Sequence, residues 1–143
     1  MVPASTHDNA VTERLRDSMV QASFTIVAHL SRTAAENDLS LTQLRLLGIL
    51  RDREPNMAQL AGFLGLERSS VSGLIDRAVA RGLATRASSL DDGRAVRVSL
   101  TEEGFRLAGL IGIRVGDYVA HMAGHLSAAE QGTLSTLLNK MLE

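Results

Sequence analysis

Residues 67–101 read ERSSVSGLIDRAVARGLATRASSLDDGRAVRVSLT, and the fold turns on how this stretch divides. Its first part spaces Val71, Leu74, Ile75 and Ala78 three and four apart, the repeat that gathers apolar side chains on one helical face. The spacing predicts a helix over about 68–80, with Gly82 placed as its C-cap. The outward set is then Arg68, Ser69, Ser70, Ser72, Gly73, Asp76 and Arg77. At Leu83 the period changes. Leu83–Ala87 and Ala95–Leu100 read as two strands: Val96, Val98 and Leu100 share one face, Arg97 and Ser99 the other. Asp91, Asp92 and Gly93 between them form a turn sequence, because Asp and Gly accept positive φ. A hairpin over 83–100 follows.

Upstream, Gly65 allows a sharp turn after a short helix carrying Leu60, Ala61 and Leu64. Asn56 caps that helix, with Gln59 three residues on in a capping-box arrangement. Ser40 and Gln43 repeat the device for a helix through Leu44, Leu47 and Leu50 to about Arg53, which Glu54-Pro55 ends. Before it, Val11, Leu15, Met19, Ala22, Ile26 and Leu30 predict one long amphipathic helix from about Val11 to Glu36, stopped at Asn37-Asp38. Residues 1–8 are expected to be disordered. Downstream, Thr101 caps a helix from about Glu102 to Gly124, with Glu102 and Glu103 favourable at its positive end. Ser127, with Glu130 three residues later, caps a last helix to Leu142. The expected fold class is mainly α with a small β-hairpin wing (α+β): a helix-turn-helix and hairpin between long N- and C-terminal helices.

Bulk properties narrow the function. At 143 residues one domain is expected, long enough for a real core. With no cysteine, structural disulfides, thiol switches and thiolate metal sites are excluded. The N-terminus has no signal-peptide pattern, and the most apolar stretch, LAGLIGI before Arg114, is too short to span a bilayer. The expected location is cytoplasmic. Net charge is only −1, but residues 41–100 hold nine Arg against six acidic residues, while both flanks are acidic. A basic centre between acidic flanks fits a nucleic-acid reader. Small hydroxyl residues at a helix N-terminus approach bases and phosphates closely, and Arg68 and Arg77 add charge for the backbone. A hairpin bearing Arg86, Arg94 and Arg97 then reaches the neighbouring minor groove, whose negative potential attracts Arg. Asp92 either holds Arg94 or stiffens the turn.

These residues carry a family resemblance. The order of elements, Leu39, Ser40 and Gln43 in LSLTQ, Leu60, Ala61 and Leu64, the run at 67–86, and above all Asp92 and Arg94 in DGRAVRVSLTEEG resemble the MarR family of winged helix-turn-helix regulators. The resemblance implies a homodimer built from the terminal helices (residues 1–36 and 102–143) around a DNA-binding region at 37–101. It implies a pseudo-palindromic double-stranded operator, with Arg94 in the minor groove. It also implies a repressor released by a small-molecule effector bound between the two regions. Arg14, Arg32, Arg45 or His29 could meet an anionic effector, and nothing in the sequence selects among them. The missing cysteine speaks against the family's peroxide-sensing branch as a guide.

Other features stay open. His121 and His125 stand one helical turn apart, a spacing that can serve zinc, but no companion ligands are evident. The site expectation is therefore no metal and no cofactor, with a metal-responsive regulator as an alternative. Gly109, Gly112 and Gly116 are expected at a helix crossing, within the chain or the dimer. Leu134, Leu137, Leu138 and Met141 form a stripe that a dimer would bury. A winged-helix protein-interaction module without DNA binding is the second alternative. No P-loop, Gly-x-Ser-x-Gly or His-Glu-x-x-His motif is present, so no enzymatic activity is expected.

Overall fold

The computed structural model describes residues 6–88 and 96–143. In chain order the elements are α1 (Thr6–Glu36), α2 (Leu41–Asp52), α3 (Met57–Leu64), α4 (Arg68–Ala80), β1 (Ala84–Ser88), β2 (Val96–Leu100), α5 (Glu102–Met122), a 3₁₀ turn (Ala123–His125) and α6 (Ala128–Leu142). The mainly α chain with one antiparallel hairpin is as expected.

The capping residues set the helix starts. Ser40 and Gln43, Asn56 and Gln59, and Ser127 and Glu130 each close a reciprocal capping box. In each, the cap side chain accepts from the third-position amide and that residue's side chain accepts from the cap amide, so two otherwise orphaned donors are satisfied. Thr101 Oγ1 accepts from the Gly104 amide at 3.0 Å. The stops are equally local. Gly65 (φ 64°) and Gly82 (φ 72°) take the left-handed conformation that ends α3 and α4. Asp38 takes it too (φ 55°), where the chain turns from α1 into α2.

The core joins α2, α3, α4, the hairpin base and the first half of α5. Leu46, Leu50, Leu60, Val71, Ile75 and Val98 are fully buried in it. Leu39, Leu83, Leu100, Leu107 and Ile111 close its edges, and Leu30 of α1 packs against it. The distal part of α1 and all of α6 contribute no buried side chain.

Three boundaries differ from the sequence expectation, at α1, β1 and α5. α1 already begins at Thr6, so residues 6–8 are helical rather than disordered; residues 1–5 lie outside the described residues. β1 begins at Ala84 rather than Leu83, because the Leu83 amide is used to close α4 by donating to Ala78 O at 2.9 Å. β2 is described from Val96, and Ala95 lies outside the described residues. α5 ends at Met122, two residues early, and the chain tightens into the 3₁₀ turn.

Candidate nucleic-acid interface

α3 and α4 form the helix pair, joined through Gly65, Leu66 and Glu67. The Leu66 amide donates to Ala61 O at 3.1 Å, which folds the turn back over α3. Arg45 of α2 donates to Phe63 O at 2.8 Å, and the Arg53 guanidinium lies 4.5 Å from the Phe63 ring centroid. These two arginines fix the end of α3. Arg45, one candidate for an anionic effector, is engaged in the scaffold.

α4 buries Val71, Leu74, Ile75 and Ala78, the four residues expected inside. Arg68, Ser69, Ser70, Asp76 and Arg77 are exposed, and Ser72 and Gly73 are half-buried. The outward set thus lies together on one face. No side chain caps the start of α4. Its first amides stand beside the exposed Arg68, Ser69 and Ser70, a combination of positive dipole end and cation suited to a phosphate. At the other end, Arg81 reaches the turn after α1, donating to Asp38 O at 2.7 Å and Asn37 O at 3.1 Å.

The hairpin stands against the flank of α4. Its register pairs Ala84 with Leu100, Arg86 with Val98 and Ser88 with Val96. β2 is fastened by its backbone to the loop before α3: Val98 N donates to Pro55 O at 2.9 Å, and Asn56 forms a bridge with Arg97. The wing arginines divide. Arg97 donates to Glu54 O at 3.0 Å, so it braces the hairpin base. Arg86 pairs with Asp76 Oδ1 at 2.5 Å and lies 3.5 Å from Ser72 O. Asp92 and Arg94 lie outside the described residues. The Asp76–Arg86 partnership escaped the sequence reading, which placed Asp76 on the outer face without a partner. The charge complement ten residues apart was the available signal.

α5 enters directly from β2. Thr101 Oγ1 donates to Gly82 O at 2.6 Å and its amide to Leu83 O at 3.0 Å. Gly104 sits over the same carbonyl, where a Cβ would lie 2.0 Å from Leu83 O. On α5 itself, Arg106 holds Glu103, Nε to Oε2 at 2.8 Å. That hydrogen bond, reinforced by the charge attraction and partly opposed by desolvation, lowers the Glu103 carboxyl below its ordinary value.

Where α1 meets α5, His29 of α1 stacks on Tyr118 of α5, centroids 3.8 Å apart and planes 5° from parallel. Tyr118 OH donates to Thr25 O at 3.4 Å, and His29 Nε2 is 3.5 Å from Oγ1 of the buried Thr33. Arg114 pairs with Glu36 across the same two helices. Arg14 lies far along α1 beside Val11, Leu15 and Ser18, and Arg32 is exposed. The four effector candidates are therefore not brought to one place. The distal parts of α1 and α6 border an apolar groove of about 720 Å³, lined among others by Leu15, Met19, Ile26, Leu134, Leu137, Leu138 and Met141.

One side expectation changes, and a second is narrowed to the dimer for Gly109 and Gly116. His121 lies in the last turn of α5 while His125 lies in the 3₁₀ turn, so the pair is not one turn apart on a single helix; among the described residues no three His, Cys, Asp or Glu gather to hold a metal. Gly109 and Gly116 meet nothing within 4 Å in the single chain, and Gly112 meets Arg51 Nη1 at 3.3 Å. The inward face of α5 is Leu107, Ala108 and Ile111, which turns Gly109 and Gly116 away from any crossing within the chain.

Residues 37–95 match the family model described as MarR family. No curated protein matches the chain. Among solved structures, NadR in complex with 4-hydroxyphenylacetate has 23% identity and a TM-score of 0.78, covering 89% of this chain and 91% of NadR. Wild-type MarR from E. coli in its apo form has 24% identity and a TM-score of 0.74, with 90% and 96% covered. BpsR of Bordetella bronchiseptica, described for regulation of its DNA binding by 6-hydroxynicotinic acid, has 25% identity and a TM-score of 0.73, with 91% and 99% covered. The match to the MarR family covers α2, α3, α4 and β1, and the fold of the solved structures extends over nearly the whole chain. No helix among the described residues is long and apolar enough to cross a membrane.

Proposed function

From the MarR-family match over residues 37–95, we propose that this chain is a homodimeric, sequence-specific DNA-binding regulator, a repressor released by a small-molecule effector. The single observation that carries the reading is the outer face of α4. It sets Arg68, Ser69, Ser70 and Arg77 in the open beside a hairpin braced on two sides. α4 enters the major groove with its N-terminal residues toward the bases, and cations and amides hold the phosphates. Arg94 reads the adjacent minor groove. Arg86 and Arg97, engaged within the protein, act as supports of the wing rather than as free readers.

The dimer is supported by the uncovered apolar surface of the terminal helices. Val11, Leu15 and Phe24 of α1, Leu110 and Ile113 of α5, and Leu137 and Met141 of α6 are each about half exposed or more. Leu15, Leu137 and Met141 line one apolar groove; an uncovered apolar patch of this kind marks an interaction face, and a second copy of the chain supplies its cover. Residues 1–36 and 102–143 then form the dimerisation region and 37–101 the DNA-binding region. The effector reading draws on BpsR, whose DNA binding is described as regulated by 6-hydroxynicotinic acid, and on NadR with its bound 4-hydroxyphenylacetate. An aromatic acid at the junction of α1 and α5, where His29 and Tyr118 stack, is the corresponding expectation here.

The test is selection from random duplex DNA at two salt concentrations, with wild type and Arg94→Ala in parallel. Wild type is expected to enrich a pseudo-palindrome with half-sites about one helical turn, or a multiple of it, apart. Arg94→Ala is expected to lose about 1–3 kcal/mol per base contact and to relax specificity at the flanks. Enrichment of no sequence, with weak binding even at low salt, overturns the reading in favour of a protein-interaction module.

A further inference from the structure

We propose that the Asp76–Arg86 pair is a clamp that sets the angle of the hairpin stem on α4, and through it the register between major-groove and minor-groove contacts within each half-site. The inference rests on the DNA-binding reading above.

Arg86 occupies an unusual place in the hairpin. It lies opposite Val98, on the face that otherwise turns Ala84, Val98 and Leu100 into the core. An arginine at this inward register must carry its guanidinium out along α4, and there it meets Asp76 Oδ1 at 2.5 Å and Ser72 O at 3.5 Å. Beyond Ala84, Arg86 supplies the side-chain hydrogen bonds from β1 to α4 among the described residues. β2 is tied elsewhere, to the loop at 54–56. One strand is therefore fastened in front of α3 and the other to α4.

A two-stranded ribbon has little rigidity of its own, so its direction is set by such ties. The pair is partly exposed, with side-chain accessibilities of 33% and 63%, and partly exposed pairs add little to folding stability. Orientation is what remains for it to determine. A five-residue strand is about 17 Å long. A swing of about 12° at its base moves its end by about 3.4 Å, the rise of one base pair along a strand. Loss of the clamp therefore blurs the wing by one position while leaving α4 in place.

Two measurements test this. The chain has no cysteine, so Ala80→Cys and Ser88→Cys can be spin-labelled selectively and diluted into excess unlabelled chain. Double electron–electron resonance is expected to give a narrow distance distribution in the parent, a broad one with Asp76→Ala, and a narrow one again with Asp76→Glu. An unchanged distribution with Asp76→Ala overturns the clamp. Should Asp76→Ala fail to fold, Asp76→Asn, which removes the charge at constant shape, takes its place. The second measurement is selection from random duplex DNA. Asp76→Ala is expected to keep the central half-site preferences, while discrimination at the flanking positions falls from about 5-fold or more toward none. Unchanged flanks, or equal loss at core and flanks, overturn the register role. If wild type enriches no sequence, the DNA-binding reading falls and the register role with it, and the distance measurement still decides the clamp.

Discussion

Single residues decide the joint between wing and long helix. Gly104 has no room for a side chain, because Leu83 O occupies the Cβ position. Gly104→Ala is expected to destabilise the protein by about 1–3 kcal/mol, as overpacking against fixed atoms does; a denaturant melt with unchanged m-value measures it. Glu103 and Arg106 offer a titration with a definite sign. Arg106 lowers the folded carboxyl below its ordinary 4.5, chiefly through the hydrogen bond. The pair's stabilisation is then present above 4.5 and is lost as pH falls through the lowered value. Arg106→Gln is expected to return the Glu103 midpoint toward 4.5 in a carboxyl-detected NMR titration; a midpoint that stays low removes Arg106 as the cause. Legibility at this scale was uneven. Caps such as Ser40, Asn56 and Thr101 act on amides three residues away and can be read from the chain. Arg86 and Asp76, or Gly104 and Leu83, meet only once strand and helix are folded together.

At the scale of elements, apolar spacing was a sound guide where one chain supplies both sides of the contact. α4 buries the four residues its spacing marks, and β2 buries Val98 and Leu100. It failed at edges where polar residues continue a helix without a hydrophobic signal, as in Thr6–Ala10 of α1. It also could not say which partner completes a stripe. Leu30 at one end of the α1 stripe packs on the core, while Val11 and Leu15 at the other remain uncovered. Two changes probe the elements directly. Asn56→Ala opens the capping box of α3 and is expected to cost about 1 kcal/mol. Leu60→Ala, at a fully buried site of the same helix, is expected to cost about 2–5 kcal/mol. Chemical denaturation ranks the two, and equal losses would mean that the cap contributes to α3 as much as its packing does.

For the whole molecule the central question is what covers α1, α5 and α6. Leu137 is 53% exposed in the apolar groove between α1 and α6. Leu137→Glu is expected to shift sedimentation at low micromolar concentration from dimer to monomer and to abolish operator binding, because two half-sites need two linked readers. A monomeric wild type at that concentration overturns the dimer. The groove carries one more consequence. A chain whose terminal helices are finished only by a second copy has a stability that depends on its own abundance. Its thermal midpoint rises on concentration and falls on dilution, even with every residue unchanged. In the proposed dimer, subunits diluted below the dissociation constant would be left with bare apolar helices open to proteolysis, and turnover would be fastest when the protein is rarest. The surface that joins two subunits in the proposed dimer would thereby place a lower bound on the copy number at which either one persists.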